Sequence, residues 1–122
     1  MQPPLSLCMI VRDEERNLAQ CLDSVQALAP ELIVADTGSK DRTIEIARQY
    51  GARVLPFPFD RVDFAAARNH TIAQAAGRWI LVLDADEVLE PASIPVVQSL
   101  MERNENAGYY CARRNHASDA AG

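Results

Sequence analysis

Two carboxylates stand two residues apart at Asp84-Ala85-Asp86, directly after the apolar run Trp79 to Leu83. Just past a buried strand, such a pair converges on one ligand if the chain turns between its members. Carboxylate oxygens suit hard cations, and Mg2+ in particular is held by one or two carboxylates together with substrate phosphates. The competing reading makes one acid a helix N-cap and leaves the other in solvent. D-x-D alone is weak; its place behind Leu81-Val82-Leu83 is what favours the ligand reading, because open α/β sheets bind ligands beyond their strand ends.

Two further clusters follow apolar runs. Asp36 closes Leu32-Ile33-Val34-Ala35, and Thr37-Gly38-Ser39 follows it. Gly38 to Asp41 reads as a tight turn, with Ser39 or Asp41 capping the next helix. Asp36, before the turn, is placed to accept from a ribose hydroxyl or a base N–H. Arg12-Asp13-Glu14-Glu15 follows Leu5 to Val11. Acids massed at three strand ends repel one another unless a cation or a hydroxyl-rich ligand lies between them. Arg68, in an Ala-rich stretch, reads either as a solvated surface residue or as a partner for a diphosphate. His70 reads as a packing or capping residue. Neither it nor His116 belongs to a Cys/His cluster of the kind that binds a metal. Gly-rich phosphate loops and nucleophile elbows are absent from the sequence, and Ser39 beside Asp41 makes no triad without a placed His.

The elements that position these residues follow from the apolar periods. Leu5 to Val11 is almost continuously apolar, as a strand buried on both faces is. Leu18, Leu22, Val25 and Leu28 recur at helical steps until Pro30. Strands are expected at Leu32 to Ala35 and Ala52 to Leu55, with a helix from about Asp41 to Tyr50 between them and Gly51 as its left-handed cap. Two prolines make 56–63 a loop. A helix runs from Phe64 to about Ala76 with Gly77 as its stop. A strand covers Trp79 to Leu83, Pro91 starts a helix that turns Ile94, Val97 and Leu100 or Met101 inward, and Gly108 to Ala112 forms a fifth strand. Residues 113–122 read as a poorly structured tail. Alternating strands and helices imply parallel βαβ units: a single α/β domain over 1–122, an open, mostly parallel sheet of about five strands with helices on both faces.

Composition narrows the partners. The 122 residues carry a net charge of -5, which argues against a nucleic-acid binder, while a small anion is still held by local donors or a metal. The apolar runs are far shorter than the roughly 20 residues of a membrane span, and the N-terminus does not read as a secretory signal. Cys8, Cys21 and Cys111 are scattered and odd in number, which makes neither a disulfide framework nor a zinc site; Cys8 and Cys111, inside apolar runs, read as small buried hydrophobes, and the setting reads as reducing and cytoplasmic.

Taken in order, LSLCMIVRDEERNLAQCLDSV, ELIVADTGSKDRTIEIARQYGARV and FAAARNHTIAQAAGRWILVLDADE resemble the N-terminal, donor-binding half of family 2 glycosyltransferases of the GT-A fold. The resemblance covers residues 5 to 112; D-T-G-S-x-D-x-T, A-R-N and D-A-D-E are its most specific parts. It implies a nucleoside diphosphate sugar donor held by Val11, Asp13, Glu14, Asp36, Gly38, Arg68, Asp84 and Ala85. In this likeness Asp36 contacts the base, Arg68 lies near the base and diphosphate, Asp84 lies near the ribose, and Asp86 binds Mg2+ or Mn2+. Asp13 departs from the usual Asn of N-E-E, losing an amide donor and gaining charge. The implied reaction is metal-dependent sugar transfer with inversion to an acceptor (glycan, lipid or protein) that the sequence does not specify. The general base is expected outside this chain, read as a donor half that is inactive alone and prone to self-association through uncovered sheet. Two other classes stay open. A nucleotidyltransferase normally carries a basic Gly-rich loop where this chain is acidic. A non-catalytic interaction domain would have no use for acids at the strand ends.

Overall fold

The computed structural model describes residues 5–57, 63–102 and 108–111. The elements run β1 (Leu5–Val11), α1 (Leu18–Ser24), a 3-10 turn (Gln26–Leu28), β2 (Glu31–Asp36), α2 (Thr43–Gln49), β3 (Arg53–Pro56), α3 (Phe64–Gln74), β4 (Trp79–Val82), α4 (Ser93–Glu102) and β5 (Gly108–Cys111). The five strands form one sheet in the order β3-β2-β1-β4-β5. Every pairing is parallel. The open parallel α/β architecture expected from the apolar periods is therefore present.

Alternation along β1 divides the core. Leu5, Leu7, Met9 and Val11 join one buried cluster with Leu18, Cys21 and Leu22 of α1, Ala47 of α2 and Val97 of α4. The opposite face carries α3, which lies against β1 and β2. Its Ala67 and Thr71 are fully buried, and the Thr71 hydroxyl sits beside the Cys8 thiol. Burial pushes that thiol up to about 11. Small residues on α3 let the helix come close to the sheet. Cys8 and Cys21 are buried free thiols, Cys8 as its apolar run suggests.

Several boundaries differ from the periodic reading. The first helix ends at Ser24, and Val25 and Leu28 stay buried through the 3-10 turn, so the apolar period outlasts the α-helical hydrogen bonding. Ala29 (φ 47°) then reverses the chain in the left-handed region. Pro56 closes β3, which is tolerated because β3 is an edge strand. Gly51 caps α2 at φ 81°, as expected.

Gly77 has another role than helix stop, since α3 already ends at Gln74. A Cβ there would lie 2.7 Å from the Leu5 carbonyl carbon and 2.7 Å from the Ser6 nitrogen. The glycine is needed for this close approach to β1. Its N–H donates to Ser6 Oγ (2.8 Å), the Ser6 hydroxyl donates to Glu31 Oε1 (2.7 Å), and the Ala76 N–H donates to the same oxygen (2.9 Å). Among the described residues, no helix is long and apolar enough to cross a membrane. The readings of 58–62 as loop and 113–122 as tail lie outside the described residues.

Candidate functional site

Strand order reverses at β1: the chain moves outward through β2 and β3, then returns to place β4 on the other side. Such a switch point opens a crevice beyond the carboxyl ends of the strands. A cleft of about 330 Å³ lies there, lined by Ile10, Val11, Arg12, Glu14, Thr37, Phe64, Arg68, Asp84, Ala85 and Asp86. Six residues singled out from the sequence thus meet: Val11, Glu14, Arg68, Asp84, Ala85 and Asp86. Asp13, Asp36 and Gly38 lie outside the lining. Sequence reasoning passed over Phe64, although an aromatic four residues before Arg68 shares its helix face. Arg12, the first residue past β1, is embedded in an acidic run of the sequence.

The acid turn is built from beneath. The Asp84 N–H donates to Glu87 Oε1 (2.8 Å), and the Glu87 N–H donates back to the Asp84 carbonyl (2.9 Å). Glu87 is buried in this role. Ala85 points into the core, while Asp84 is exposed and Asp86 half-buried. Below the turn, Cys21 Sγ donates to the Asp84 carbonyl (3.5 Å), and the Leu89 N–H donates to Ser24 Oγ (3.0 Å). Burial, then the nearby charges of Glu87, Asp84, Asp86 and Glu14, push the Cys21 thiol up to about 12.

Asp84 and Asp86 both line one cleft, and neither carboxylate accepts a hydrogen bond from a described residue. Among the described residues, no cluster of three or more His, Cys, Asp or Glu stands ready to hold a metal. Two free carboxylates fit an ion that shares its shell with ligand oxygens and water, which is the habit of Mg2+.

The loops after β1 and β2 are clasped together. The Asp13 N–H donates to Ser39 Oγ (2.9 Å), and Asp13 Oδ1 accepts from the Lys40 N–H (2.7 Å). The Glu14 N–H donates to Thr43 Oγ1 (2.7 Å) and the Glu15 N–H to Asp41 Oδ2 (3.2 Å). Glu15 Oε1 accepts from the Arg42 N–H (3.0 Å). Asp13 adopts φ 53°, a region that Asp and Asn enter more readily than other side chains. Its carboxylate therefore serves the neighbouring loop. Neither of the two expected capping residues is the N-cap of α2, which is Arg42 without a side-chain cap bond: Asp41 Oδ1 accepts from the Thr43 N–H (2.9 Å) one residue further out, and Ser39 Oγ is taken by Asp13. Although desolvation works the other way, hydrogen bonds from Thr43 and from the Glu15 N–H hold the Asp41 carboxyl below its ordinary value.

Asp36 is buried at the end of β2. Its Oδ2 accepts from the N–H groups of Gly38 and Ser39 (3.1 Å each). Its Oδ1 is buried without a hydrogen-bond partner. Next to it, Thr37 lines the cleft and is tied to the Val11 carbonyl by its N–H and its hydroxyl (3.1 Å each).

Across the cleft, Asp63 caps α3 by accepting from the Ala66 N–H (3.0 Å). Arg68 stands half-buried one turn on, and the Thr71 hydroxyl donates to its carbonyl (2.7 Å). His70 packs against Phe57, ring centroids 5.4 Å apart.

A TPR repeat-containing protein of Synechococcus elongatus is 49% identical over 109 residues, 89% of this chain and 27% of its own length. The lipopolysaccharide core biosynthesis glycosyltransferase LpsC of Rhizobium meliloti is 29% identical over 115 residues, 91% of this chain and 42% of its own. Among solved structures, S. aureus TarS superposes with a TM-score of 0.71 at 20% identity, over 84% of this chain and 20% of TarS. Glucosyl-3-phosphoglycerate synthase of Mycobacterium tuberculosis, in complex with Mn2+, UDP and glucosyl-3-phosphoglycerate, superposes with a TM-score of 0.64 at 27% identity, over 80% of this chain and 39% of the synthase. The chain thus spans between about a fifth and about two fifths of the length of these proteins. The model of Glycosyl transferase family 2 matches residues 6–121, and the chain belongs to that family.

Proposed function

We propose that the cleft binds a nucleoside diphosphate sugar and that the protein transfers its sugar to an acceptor hydroxyl. The observation that carries this reading is the meeting of Glu14, Asp84 and Asp86 with Arg68 at the switch point of a parallel sheet. The nucleotide and Mn2+ in the related synthase support it.

In this reading Asp36 Oδ1 accepts a base N–H, which supplies the partner that the buried oxygen otherwise lacks. Asp84 takes the ribose side of the donor. Arg68 donates to the diphosphate as negative charge develops on the leaving group. Asp86, with Asp84 beside it, holds Mg2+ or Mn2+, which when bound stabilises that charge as a Lewis acid. The clasped loops keep Glu14 fixed at the rim. Val11, Gly38 and Ala85 contribute backbone and shape, and Asp13 acts on the donor only through the Ser39–Lys40 loop. Departure of the diphosphate is matched by in-line attack of the acceptor oxygen, with inversion. We place the acceptor pocket and the base that takes the hydroxyl proton outside the described residues, because Glu87 is spent on the acid turn.

The test is calorimetric titration with UDP-, GDP- and dTDP-sugars, each with Mn2+ and with EDTA. One of the three is expected to bind, more tightly with Mn2+, and Asp86→Ala is expected to remove the Mn2+ increment. Equal affinity in EDTA and Mn2+ overturns the metal assignment.

A further inference from the structure

Phe64 is 58% exposed, one of only two large hydrophobic side chains so exposed among the described residues. It is absent from the core cluster. An exposed aromatic ring on the first turn of a helix contributes little to folding. This one lines the cleft, one turn before Arg68, in the same lining as Asp84 and Asp86. It is also held in place. Asp63 caps the helix, and Ala67 and Thr71 bury the same helix against the sheet, so the ring is presented on a rigid mount. The other lining side chains are charged or belong to the small and aliphatic floor.

We propose that Phe64 is the aromatic platform on which the planar base of the donor stacks, and so a residue that sets nucleoside affinity. This rests on the donor-binding reading above. A nucleoside diphosphate has one flat apolar part, and the cleft offers one flat apolar surface. Hydrogen bonds along the base edge to Asp36 leave the base faces free to meet a ring. Stacking of this kind tolerates any base, because every base has a π-face. Phe64 therefore adds affinity for the nucleoside, and edge contacts choose among bases.

The full chain is titrated with UDP, GDP and dTDP in Mn2+, and with inorganic pyrophosphate in Mn2+, for the unaltered protein and for Phe64→Ala, Phe64→Leu and Phe64→Tyr. The expected result is a loss of roughly tenfold or more in nucleotide affinity for Phe64→Ala, the scale of a lost base–aromatic stack. Phe64→Leu is expected to lose nearly as much and Phe64→Tyr little, with pyrophosphate affinity equal in all four. Saturation-transfer NMR on the matching nucleotide sugar is expected to place the ring against base protons. Unchanged nucleotide affinity in Phe64→Ala overturns the platform and leaves the donor site standing. An equal loss of pyrophosphate affinity, or transfer confined to sugar protons, also overturns it. If the unaltered chain binds none of the nucleotides, the donor-binding reading falls, and this inference with it.

Discussion

The thiol of Cys21, in the middle of α1, donates to the backbone carbonyl of Asp84 at 3.5 Å. The contact joins the first helix to the acid turn, 63 residues away in the chain. Cys21 itself is fully buried, with four carboxylates around it. A thiol is well suited here: it is small, apolar enough for the core, and still a weak donor.

The first prediction is chemical. A thiol pushed up to about 12 stays protonated at pH 8, and the thiolate is the nucleophile. Iodoacetamide at pH 8 is expected to leave Cys21 and Cys8 unmodified in the folded chain and to alkylate both in urea. Peptide mass mapping reads the difference. Labelling of Cys21 in the native chain at the urea rate would show that the layer beneath the acid turn is open.

Asp36 does two things that one substitution can separate. Asp36→Asn retains an oxygen for the N–H groups of Gly38 and Ser39 but turns an NH2 toward the position of the unpartnered Oδ1. Stability is expected to change by less than about 1 kcal/mol, while nucleotide affinity falls by about 2 kcal/mol, the scale of a hydrogen bond to a charged group. Asp36→Ala is expected to lose both. Urea denaturation and calorimetry check the pair. A large stability loss in Asp36→Asn with full affinity would make the residue purely structural.

Gly77→Ala places a methyl against backbone at 2.7 Å, where no side chain can swing aside. The expected cost is about 1–3 kcal/mol or more, as for other overpacked sites. The midpoint in urea should fall without a change in nucleotide affinity at low urea, since the contact lies at the opposite ends of the strands from the cleft. A neutral Gly77→Ala would mean that β1 and the α3–β4 connection separate more easily than their packing indicates.

The clasp predicts an acid dependence. Asp41 has a folded-state pKa below its ordinary 3.8, so its contribution is complete above that value and is lost as pH falls through the lower, folded one. Hydrogen exchange at the Glu15 and Thr43 amides is expected to speed up below about pH 3.8 relative to core amides of β1. Asp41→Asn should remove this pH dependence. The same dependence in Asp41→Asn would assign it to another carboxylate.

The strands and the three acid clusters were legible because burial on both faces leaves a continuous apolar run, and polar residues resume where the sheet ends. Arg68 was legible as a cation stranded among alanines. Less legible was which polar residue serves the ligand side and which serves the fold. Asp13 and Glu14 are adjacent acids of one loop, yet φ 53° at Asp13 turns its carboxylate to Lys40 while Glu14 lines the cleft. Ser39 looked like a helix cap because its partner, the Asp13 N–H, is 26 residues away and invisible to local spacing. Gly77 looked like a helix stop because close approach to another strand leaves no trace in local sequence. Glu87 continued the acid run but closes the turn from within.

The clasp between the first two loops also governs how this domain can be recombined with its relatives. Backbone donors at Asp13, Glu14 and Glu15 are met by side chains of Ser39, Thr43 and Asp41, and backbone donors at Lys40 and Arg42 by side chains of Asp13 and Glu15. A chimera with its breakpoint in β2 takes the two halves of this handshake from different parents, and each half lacks its acceptors unless the parents agree at all five side chains. A breakpoint in α3, beyond both loops, inherits the clasp whole. The stretch from β1 through α2 is thus a unit of exchange, and graft designs on this scaffold should carry it intact.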